Sequence, residues 1–182
     1  MLLLRNIKTA KRGKLEEVVM IVRKSTADDV ESILKVIDVA RLIMRRSGNQ
    51  SQWVDGYPDK ACFLCDINAD CSFVIEKEGR VVGTFALIKS PEPTYDVVFG
   101  GCGWRNPQGE YGVIHRLASN GECSGILGIA LAFARSSYPD IRIDTHADNV
   151  IMRHLLCKNG FSEVGTILLS NGSPRVAYQW VR

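Results

Sequence analysis

The chain has 182 residues, of which 46% are hydrophobic and 24% are charged. This composition fits one globular domain with a full core and argues against a disordered chain. The net charge is +3, and no stripe of lysine and arginine alternates with aromatic residues, which argues against nucleic-acid binding. No apolar run reaches the length of a membrane span, and residues 1–19 lack the apolar core of a signal peptide. We therefore expect a soluble, cytoplasmic protein with no membrane partner.

Six cysteines are spread along the chain, and Cys62 and Cys65 form a Cys-x-x-Cys motif. A zinc site needs a second close pair, or histidines at ligand spacing. The three histidines, His115, His146 and His154, lie far apart and share no such spacing. We therefore expect reduced thiols and no metal site.

Hydrophobic periodicity predicts seven strands and four helices, beginning with a β-branched strand at Met20. Residues 1–19 are interpreted as an N-terminal extension to a domain that covers residues 20–182. Thr26 is expected to cap the first helix, and Gly160 to end the last helix as its C′ residue. The predicted strands cover residues 20–24, 71–76, 80–87, 111–117, 141–144, 164–169 and 176–181, and the predicted helices cover residues 26–44, 61–68, 125–135 and 149–159.

Two long connections separate these elements. Residues 47–60 are polar and rich in turn residues, and they carry Trp53 and Tyr57. Residues 90–109 are rich in proline and glycine, and a hairpin is predicted near Tyr95–Val98. Both segments are expected to be loops.

The order of the elements predicts a mixed sheet. A strand–helix–strand crossover joins residues 111–117 to residues 141–144, and such crossovers make their two strands parallel. Hairpins on either side of the crossover make the other strand pairs antiparallel. The predicted fold class is a single α/β domain with a mixed, mostly antiparallel sheet, a central parallel strand pair and helices on both faces.

The stretch from Ile114 to Phe161 carries the strongest functional signal. Its first strand enters a glycine-bearing turn, and this turn opens the helix predicted from Gly125. Amide groups in the first turn of a helix lack intrahelical partners and lie at the positive end of the helix dipole, so they bind phosphate groups well. A phosphate-bearing ligand is therefore expected at this turn.

Three short motifs carry a resemblance to a known family. They are RLAS at 116–119 leading into SGILG at 124–128, THADNVIMRHLLCKNGF at 145–161, and IVRKSTADDVESIL at 21–34. The chain resembles the GNAT superfamily of N-acetyltransferases over roughly residues 20–181. The resemblance implies a GNAT-like fold in which the sheet splays at the central parallel pair, and acetyl-CoA binds in the gap.

The resemblance also implies that the turn binds the pyrophosphate of acetyl-CoA. Gly125 matches the first glycine of the family's loop, whereas Glu122 replaces the usual Gln or Arg and Leu127 replaces a Gly or Ala. Asn149 matches an asparagine that contacts the cofactor in many relatives, and it is at least equally suited to cap the following helix. The cofactor-binding residues expected from the resemblance are Leu117, Ala118, Ser119, Ser124, Gly125, Ile126, Leu127, Gly128 and Asn149.

The catalytic residues are less complete in the sequence. Leu156 stands where many relatives have a tyrosine that protonates the departing thiolate, so water or another residue must supply that proton. A base must also take a proton from the acceptor amine. The candidates for this base are His115, His146, Glu110 and Asp144.

The resemblance implies an acetyl-CoA-dependent N-acyltransferase in which the acceptor amine attacks the thioester directly. The acceptor is expected to be a small amine or an amino-acid-like molecule. Trp53 and Tyr57 either line its binding site or pin their loop to the core. The alternative function is a catalytically idle acyl-CoA-binding or sensor domain on the same fold, which Glu122, Leu127 and Leu156 favour. Dimers are common in this family, so the resemblance is also consistent with a homodimer.

Overall fold

The structure is a computed structural model that describes the backbone of residues 3–11 and 14–182 and the side chains of residues 19–182. This part of the chain forms an α/β protein with a mixed, mostly antiparallel sheet, as the sequence predicts. None of its helices is long and apolar enough to cross a membrane. The elements are β1 (Leu3–Lys11), β2 (Lys14–Lys24), α1 (Val30–Arg46), α2 (Lys60–Asn68), β3 (Ser72–Lys77), β4 (Arg80–Lys89), β5 (Gly112–Ser119), α3 (Ile126–Ser137), β6 (Asp140–Thr145), α4 (Val150–Lys158), β7 (Ser162–Leu168) and β8 (Pro174–Val181).

The sequence predicted seven strands, and the structure adds β1 within the predicted N-terminal extension. β1 pairs antiparallel with β2, with Leu3 opposite Val22 and Lys11 opposite Lys14. β2 therefore begins before Met20, where the first strand was predicted to start. The division into an extension of residues 1–19 and a domain of residues 20–182 stays a prediction.

The chain divides into two structural units that are interleaved along the sequence. Strands β4 and β5 each begin in one unit and end in the other. The first unit comprises the chain up to Ala40 with residues 58–86 and 116–133, and the second comprises residues 41–57, 87–115 and 134–182.

The first unit contains an aromatic cluster between strands and helix. The rings of Phe73 and Phe85 stack with centroids 5.3 Å apart, and the ring of Phe133 lies 4.8 Å from that of Phe73. α1 buries one stripe of side chains at helical spacing. The buried residues of α1 are Val30, Ile33, Val36, Ile37 and Ala40.

The second unit contains the predicted parallel strand pair. β5 and β6 pair at Gly112↔Ile141 and Val113↔Arg142, at the beginning of β5. This is the parallel pair that the order of the elements predicts, and its register covers two positions. β6 and β7 both pair antiparallel with β8. The core of this unit consists of Tyr95, Tyr111, Val113, Val164, Ile167 and Ala177, packed against Val98 and Trp104.

Both ends of α4 follow the predicted capping chemistry. Asn149 Oδ1 accepts a hydrogen bond from Met152 N at 3.1 Å, so Asn149 is the N-cap residue. Gly160 has a φ of +81°, and Phe161 N donates to the carbonyl of Leu156. This is the Schellman arrangement, in which a left-handed glycine ends the helix.

The hairpin predicted near Tyr95–Val98 is wrong. Pro93–Tyr95 form a 3-10 turn, because the Glu92 side chain accepts from the backbone of Thr94. Further along the segment, Phe99 exchanges backbone hydrogen bonds with Thr166 of β7. The hydrogen bonds of this segment are therefore satisfied by a capped turn and a distant strand.

Candidate functional site

The turn between β5 and α3, residues 119–125, lies in the first unit and is shaped by its own side chains. Ser119 Oγ accepts a hydrogen bond from Gly121 N at 3.1 Å. Gly125 has a φ of +85°, a left-handed conformation that favours glycine, at the entry to α3. The backbone bond from Ile129 N to Gly125 O closes the first turn of α3, so the amides of residues 126–128 have no acceptor within the helix.

Glu122 does not leave an uncompensated negative charge in this turn. Its Oε2 lies 3.4 Å from Arg80 Nη1, and its Oε1 accepts a 2.9 Å hydrogen bond from Asn120 Nδ2. The first turn of α3 carries no acidic residue. Because the helix amides favour negative charge and Arg80 balances the charge of Glu122, the turn fits an anionic group such as a phosphate.

Gly83 on β4 allows the start of α3 to lie close to the strands of the first unit. A Cβ atom at this position would lie 2.8 Å from Cγ2 of Ile126 and 3.1 Å from the carbonyl oxygen of Ala118. Both neighbours were predicted to bind the cofactor, but the importance of Gly83 was missed. A glycine within a strand is the signal that could have revealed this close approach.

The second unit contains a group of four side chains, Glu92, Tyr95, His115 and Asp144, which we call the acid–base cluster. His115 projects from β5 and is 18% exposed. Its Nε2 lies 3.6 Å from Glu92 Oε2, and its Nδ1 lies 3.8 Å from Asp144 Oδ1. The ring of Tyr95 meets the imidazole edge-on, with centroids 5.9 Å apart. The imidazole is therefore held between two carboxylates and one aromatic ring.

The protonation states in the acid–base cluster follow from its contacts. The neighbouring imidazole of His115 lowers the pKa of the Glu92 carboxyl to about 2, and the Thr94 hydroxyl assists with a 2.9 Å hydrogen bond. Burial and then the negative charge of Asp144 raise the pKa of the Tyr95 phenol well above its usual value. At neutral pH Glu92 is thus ionised, while Tyr95 keeps its proton and donates it to Asp144 Oδ1 at 2.7 Å.

The sequence identified half of this cluster. His115 and Asp144 were both candidates for the base, and the structure brings them together. Glu92 and Tyr95 were missed because they belong to the segment predicted to be a plain connection. One signal was available: Glu92 lies between Pro91 and Pro93, and proline fixes the backbone on either side of it.

β5 is irregular at the residue after His115. Arg116 has a φ of +53°, which is rare for a bulky residue and marks a strained backbone. Its guanidinium binds both carboxylate oxygens of Asp66 on α2, at 2.6 and 2.7 Å. His115 and Arg116 therefore have separate partners.

Asn149 uses both ends of its amide within the second unit. Its Oδ1 caps α4, and its Nδ2 donates to Gln52 Oε1 at 3.0 Å. Gln52 Oε1 also accepts from Asn49 Nδ2 at 2.8 Å. The N-cap role of Asn149 is thus confirmed, and its role in cofactor binding stays a prediction.

The other predicted site residues lie outside the acid–base cluster. Glu110 is exposed and pairs with Lys89 at 2.9 Å, and His146 Nδ1 lies 3.4 Å from Asp148. Trp53 and Tyr57 lie in the predicted loop, where Trp53 has a φ of +59° and Tyr57 is 47% exposed. Their roles in catalysis and acceptor binding stay predictions.

The cysteines are all free thiols. Burial raises the pKa of the Cys62 thiol, and it raises the pKa of the Cys71 thiol to about 11. Both groups are therefore protonated and poor nucleophiles at neutral pH. In the described residues, no group of three or more His, Cys, Asp or Glu side chains is arranged to hold a metal ion.

Solved structures provide the comparison with known proteins. A GNAT-family acetyltransferase from Streptococcus agalactiae is 30% identical with a TM-score of 0.79, and the match covers 90% of this chain and 95% of that one. A GNAT-family acetyltransferase from Listeria monocytogenes is 22% identical with a TM-score of 0.66, covering 97% and 100% of the two chains. A putative acetyltransferase from Staphylococcus aureus is 23% identical with a TM-score of 0.63, covering 88% and 97%.

The streptococcal match covers nearly the full length of both chains at an identity that defines a family relationship. The chain therefore belongs to the GNAT family of acetyltransferases. No protein-family model and no curated protein matches the sequence. The two less similar structures support the fold alone.

Proposed function

We propose that the chain is an acetyl-CoA-dependent N-acetyltransferase that acetylates the amine of a small-molecule or amino-acid-like acceptor. The observation that carries this proposal is the position of His115 between Glu92 and Asp144. A largely buried imidazole flanked by two carboxylates is suited to act as a general base, because the carboxylates stabilise the imidazolium that forms. Family membership supports acyl transfer as the reaction class.

The acid–base cluster suits His115 to act as the general base. His115 Nδ1 lies 3.8 Å from Asp144 Oδ1, beyond hydrogen-bonding distance, so this nitrogen is the one that we propose takes the proton of the acceptor amine, directly or through water. The ionised Glu92 and the carboxylate of Asp144 then stabilise the imidazolium that forms. Tyr95 fixes Asp144 by its hydrogen bond and fixes the ring of His115 by edge-on packing.

The turn of residues 119–125 and the first turn of α3 are suited to hold acetyl-CoA through backbone amides. The acceptor amine attacks the thioester carbonyl that acetyl-CoA supplies: a C–N bond forms, the C–S bond breaks, and the amine proton passes to His115. Leu156 is fully buried and carries no proton to donate. Water is therefore our proposed proton donor to the departing thiolate.

The second candidate function is a catalytically idle acyl-CoA-binding or sensor domain. The observation that favours it is Leu156, which replaces the tyrosine acid of many relatives. In this case acetyl-CoA would bind at the turn, and no acyl group would be transferred.

Two measurements separate these functions. Acetyl-CoA is expected to raise the melting temperature of the protein, because a ligand that binds only the folded state stabilises it. Free thiol is then expected to appear when a panel of small amines and amino acids is added. Stabilisation without thiol release across the panel would favour the sensor function. No stabilisation by acetyl-CoA would contradict both functions.

A further inference from the structure

Arg142 on β6 is a buried cation that the proposed reaction does not use. Its side chain is 1% exposed, and its Nη2 donates to the carbonyl of Asn106 at 2.9 Å. Asp140 lies 3.4 Å away, and the Nε of Arg142 has no hydrogen-bond partner. Burying a guanidinium with an unsatisfied nitrogen destabilises the folded protein, so other contacts of Arg142 must offset this loss.

The guanidinium of Arg142 lies against two aromatic rings. Its central carbon is 3.5 Å from the centroid of Tyr111 and 4.4 Å from the centroid of Trp104. At these distances the cation and the ring faces attract each other, and the attraction grows when water is excluded. Arg142 therefore fixes the positions of both rings within the second unit.

The Trp104 ring holds Tyr95. Trp104 Nε1 donates to the carbonyl of Tyr95 at 2.7 Å, and the two rings stack with centroids 5.4 Å apart at an angle of 6°. Tyr95 in turn packs against His115 and donates to Asp144. One line of contacts thus runs from Arg142 to one side of the acid–base cluster.

The Tyr111 ring holds Glu92. The hydroxyl of Tyr111 accepts a hydrogen bond from Glu92 N at 3.2 Å. Tyr111 N also donates to Ser90 Oγ at 3.2 Å, which fixes the same short segment. A second, independent line of contacts thus runs from Arg142 to the backbone of Glu92, the residue whose carboxylate faces His115 Nε2.

We propose that Arg142 is a positioning residue: its guanidinium fixes two aromatic rings that hold the acid–base cluster in place around His115. It touches none of the reacting atoms, and it acts through Trp104 and Tyr111. The inference deepens the proposed function, because it names what aligns the base. Its test, however, reads the geometry of the cluster and does not require activity.

The carboxyl group of Glu92 reports that geometry directly. The titratable groups that face it are His115 on β5 and Tyr95 in the 3-10 turn, and His115 is the main reason that its pKa is about 2. Arg142→Lys keeps the positive charge and removes the planar face that stacks on the rings. We expect the Glu92 pKa, measured by carbon NMR of the side-chain carboxyl, to rise from about 2 towards the ordinary 4.5.

Arg135 provides a matched control in the same unit. Its guanidinium lies 4.3 Å from the ring centroid of Trp180 and donates to the carbonyl of Asn159, and its Nε is also unsatisfied. It makes none of the contacts that lead to His115. Arg135→Lys is therefore expected to leave the Glu92 pKa unchanged.

The outcomes separate this proposal from the proposed function. An unchanged Glu92 pKa in folded Arg142→Lys would overturn it, and so would an equal rise in Arg135→Lys. If Arg142→Lys does not fold, Tyr111→Phe decides, because it keeps the ring and removes the hydroxyl that accepts from Glu92 N. In Tyr111→Phe, a rise in the Glu92 pKa smaller than that expected for Arg142→Lys supports the proposal. An unchanged Glu92 pKa in Tyr111→Phe overturns it. If the wild-type protein acetylates no amine, the NMR result still decides the role of Arg142.

Discussion

Tyr95 donates a 2.7 Å hydrogen bond to Asp144, a residue 49 positions further along the chain. The phenol is 1% exposed, and the side chain of Asp144 is 10% exposed. Because the pKa of Tyr95 is raised well above its usual value by burial and by Asp144, this donor never loses its proton in the physiological range. The bond therefore fixes one of the two carboxylates that face His115.

Tyr95→Phe removes this bond and keeps the ring. Asp144 then loses a buried donor, and we expect the free energy of unfolding to fall by about 1–3 kcal/mol. Acetyl transfer is expected to fall as well, because the carboxylate opposite His115 Nδ1 is no longer held. Equilibrium unfolding in urea and the thiol-release rate measure the two effects. If Tyr95→Phe kept the wild-type free energy of unfolding and the wild-type thiol-release rate, the hydrogen bond from Tyr95 would have no role in positioning Asp144.

Glu92→Gln tests the charge on the other carboxylate through its pH dependence. The folded-state pKa of Glu92 is lowered to about 2 from 4.5, so the carboxylate contributes stability that is present above pH 4.5 and is lost as the pH falls towards 2. At pH 7 we expect the free energy of unfolding of the wild type to exceed that of Glu92→Gln by about 2 kcal/mol, because solvent weakens the interaction of the partly exposed carboxylate.

Urea unfolding at pH 7, 4 and 3 measures this difference. The gap between wild type and Glu92→Gln should close as the pH falls. A gap that does not change with pH would mean that the ionised form of Glu92 is not specifically stabilised by His115.

Glu122→Gln tests the proposed pyrophosphate turn. The change removes a negative charge and releases Arg80, so we expect acetyl-CoA to bind about threefold more tightly at low salt. The gain should shrink at high salt, since both groups are exposed and screened. Titration calorimetry at two salt concentrations measures it.

Glu163→Gln is the matched control for this change. Glu163 is half-exposed and lies 3.4 Å from Arg153, the same separation as between Glu122 and Arg80. It lies on β7, outside the turn of residues 119–125 and the first turn of α3, so its loss should not affect acetyl-CoA affinity. If Glu122→Gln and Glu163→Gln changed acetyl-CoA affinity equally, the pyrophosphate would not bind at the turn of residues 119–125.

Gly83→Ala tests whether close packing sets the start of α3. The added methyl group would meet Ile126 Cγ2 at 2.8 Å, and such overpacking is expected to destabilise the protein by about 1–3 kcal/mol. Ile126→Ala removes the obstructing atom and leaves a cavity of its own. In a double-mutant cycle the combined variant should be more stable than the sum of the single losses predicts. Simple additivity would contradict the close approach.

Local chemistry made much of the fold predictable. Asn149 and Gly160 mark the two ends of α4 by capping rules that act within a few residues, and both predictions hold. The hairpin predicted near Tyr95–Val98 failed because the backbone of Phe99 pairs with Thr166, a partner no local rule identifies. β1 was missed because residues 1–19 were interpreted as an extension.

The candidate site was predictable where a strand supplied the residue. His115 and Asp144 lie on β5 and β6, so the expected parallel pair brings them near each other. Glu92 and Tyr95 come from an irregular segment whose position depends on Trp104, Tyr111 and the distant Arg142. Such placement depends on tertiary packing, and no periodicity in the sequence encodes it.

The most direct test of the central claim is the rate of acetyl transfer by His115→Gln, measured with the amine that gives most thiol release. We expect the rate to fall about 10²–10⁴-fold, because a general base contributes that much, while the acetyl-CoA dissociation constant stays the same. His154→Gln, an exposed change on α4, should match the wild type. A His115→Gln variant that transfers acetyl groups at the wild-type rate would contradict the assignment of His115 as the base.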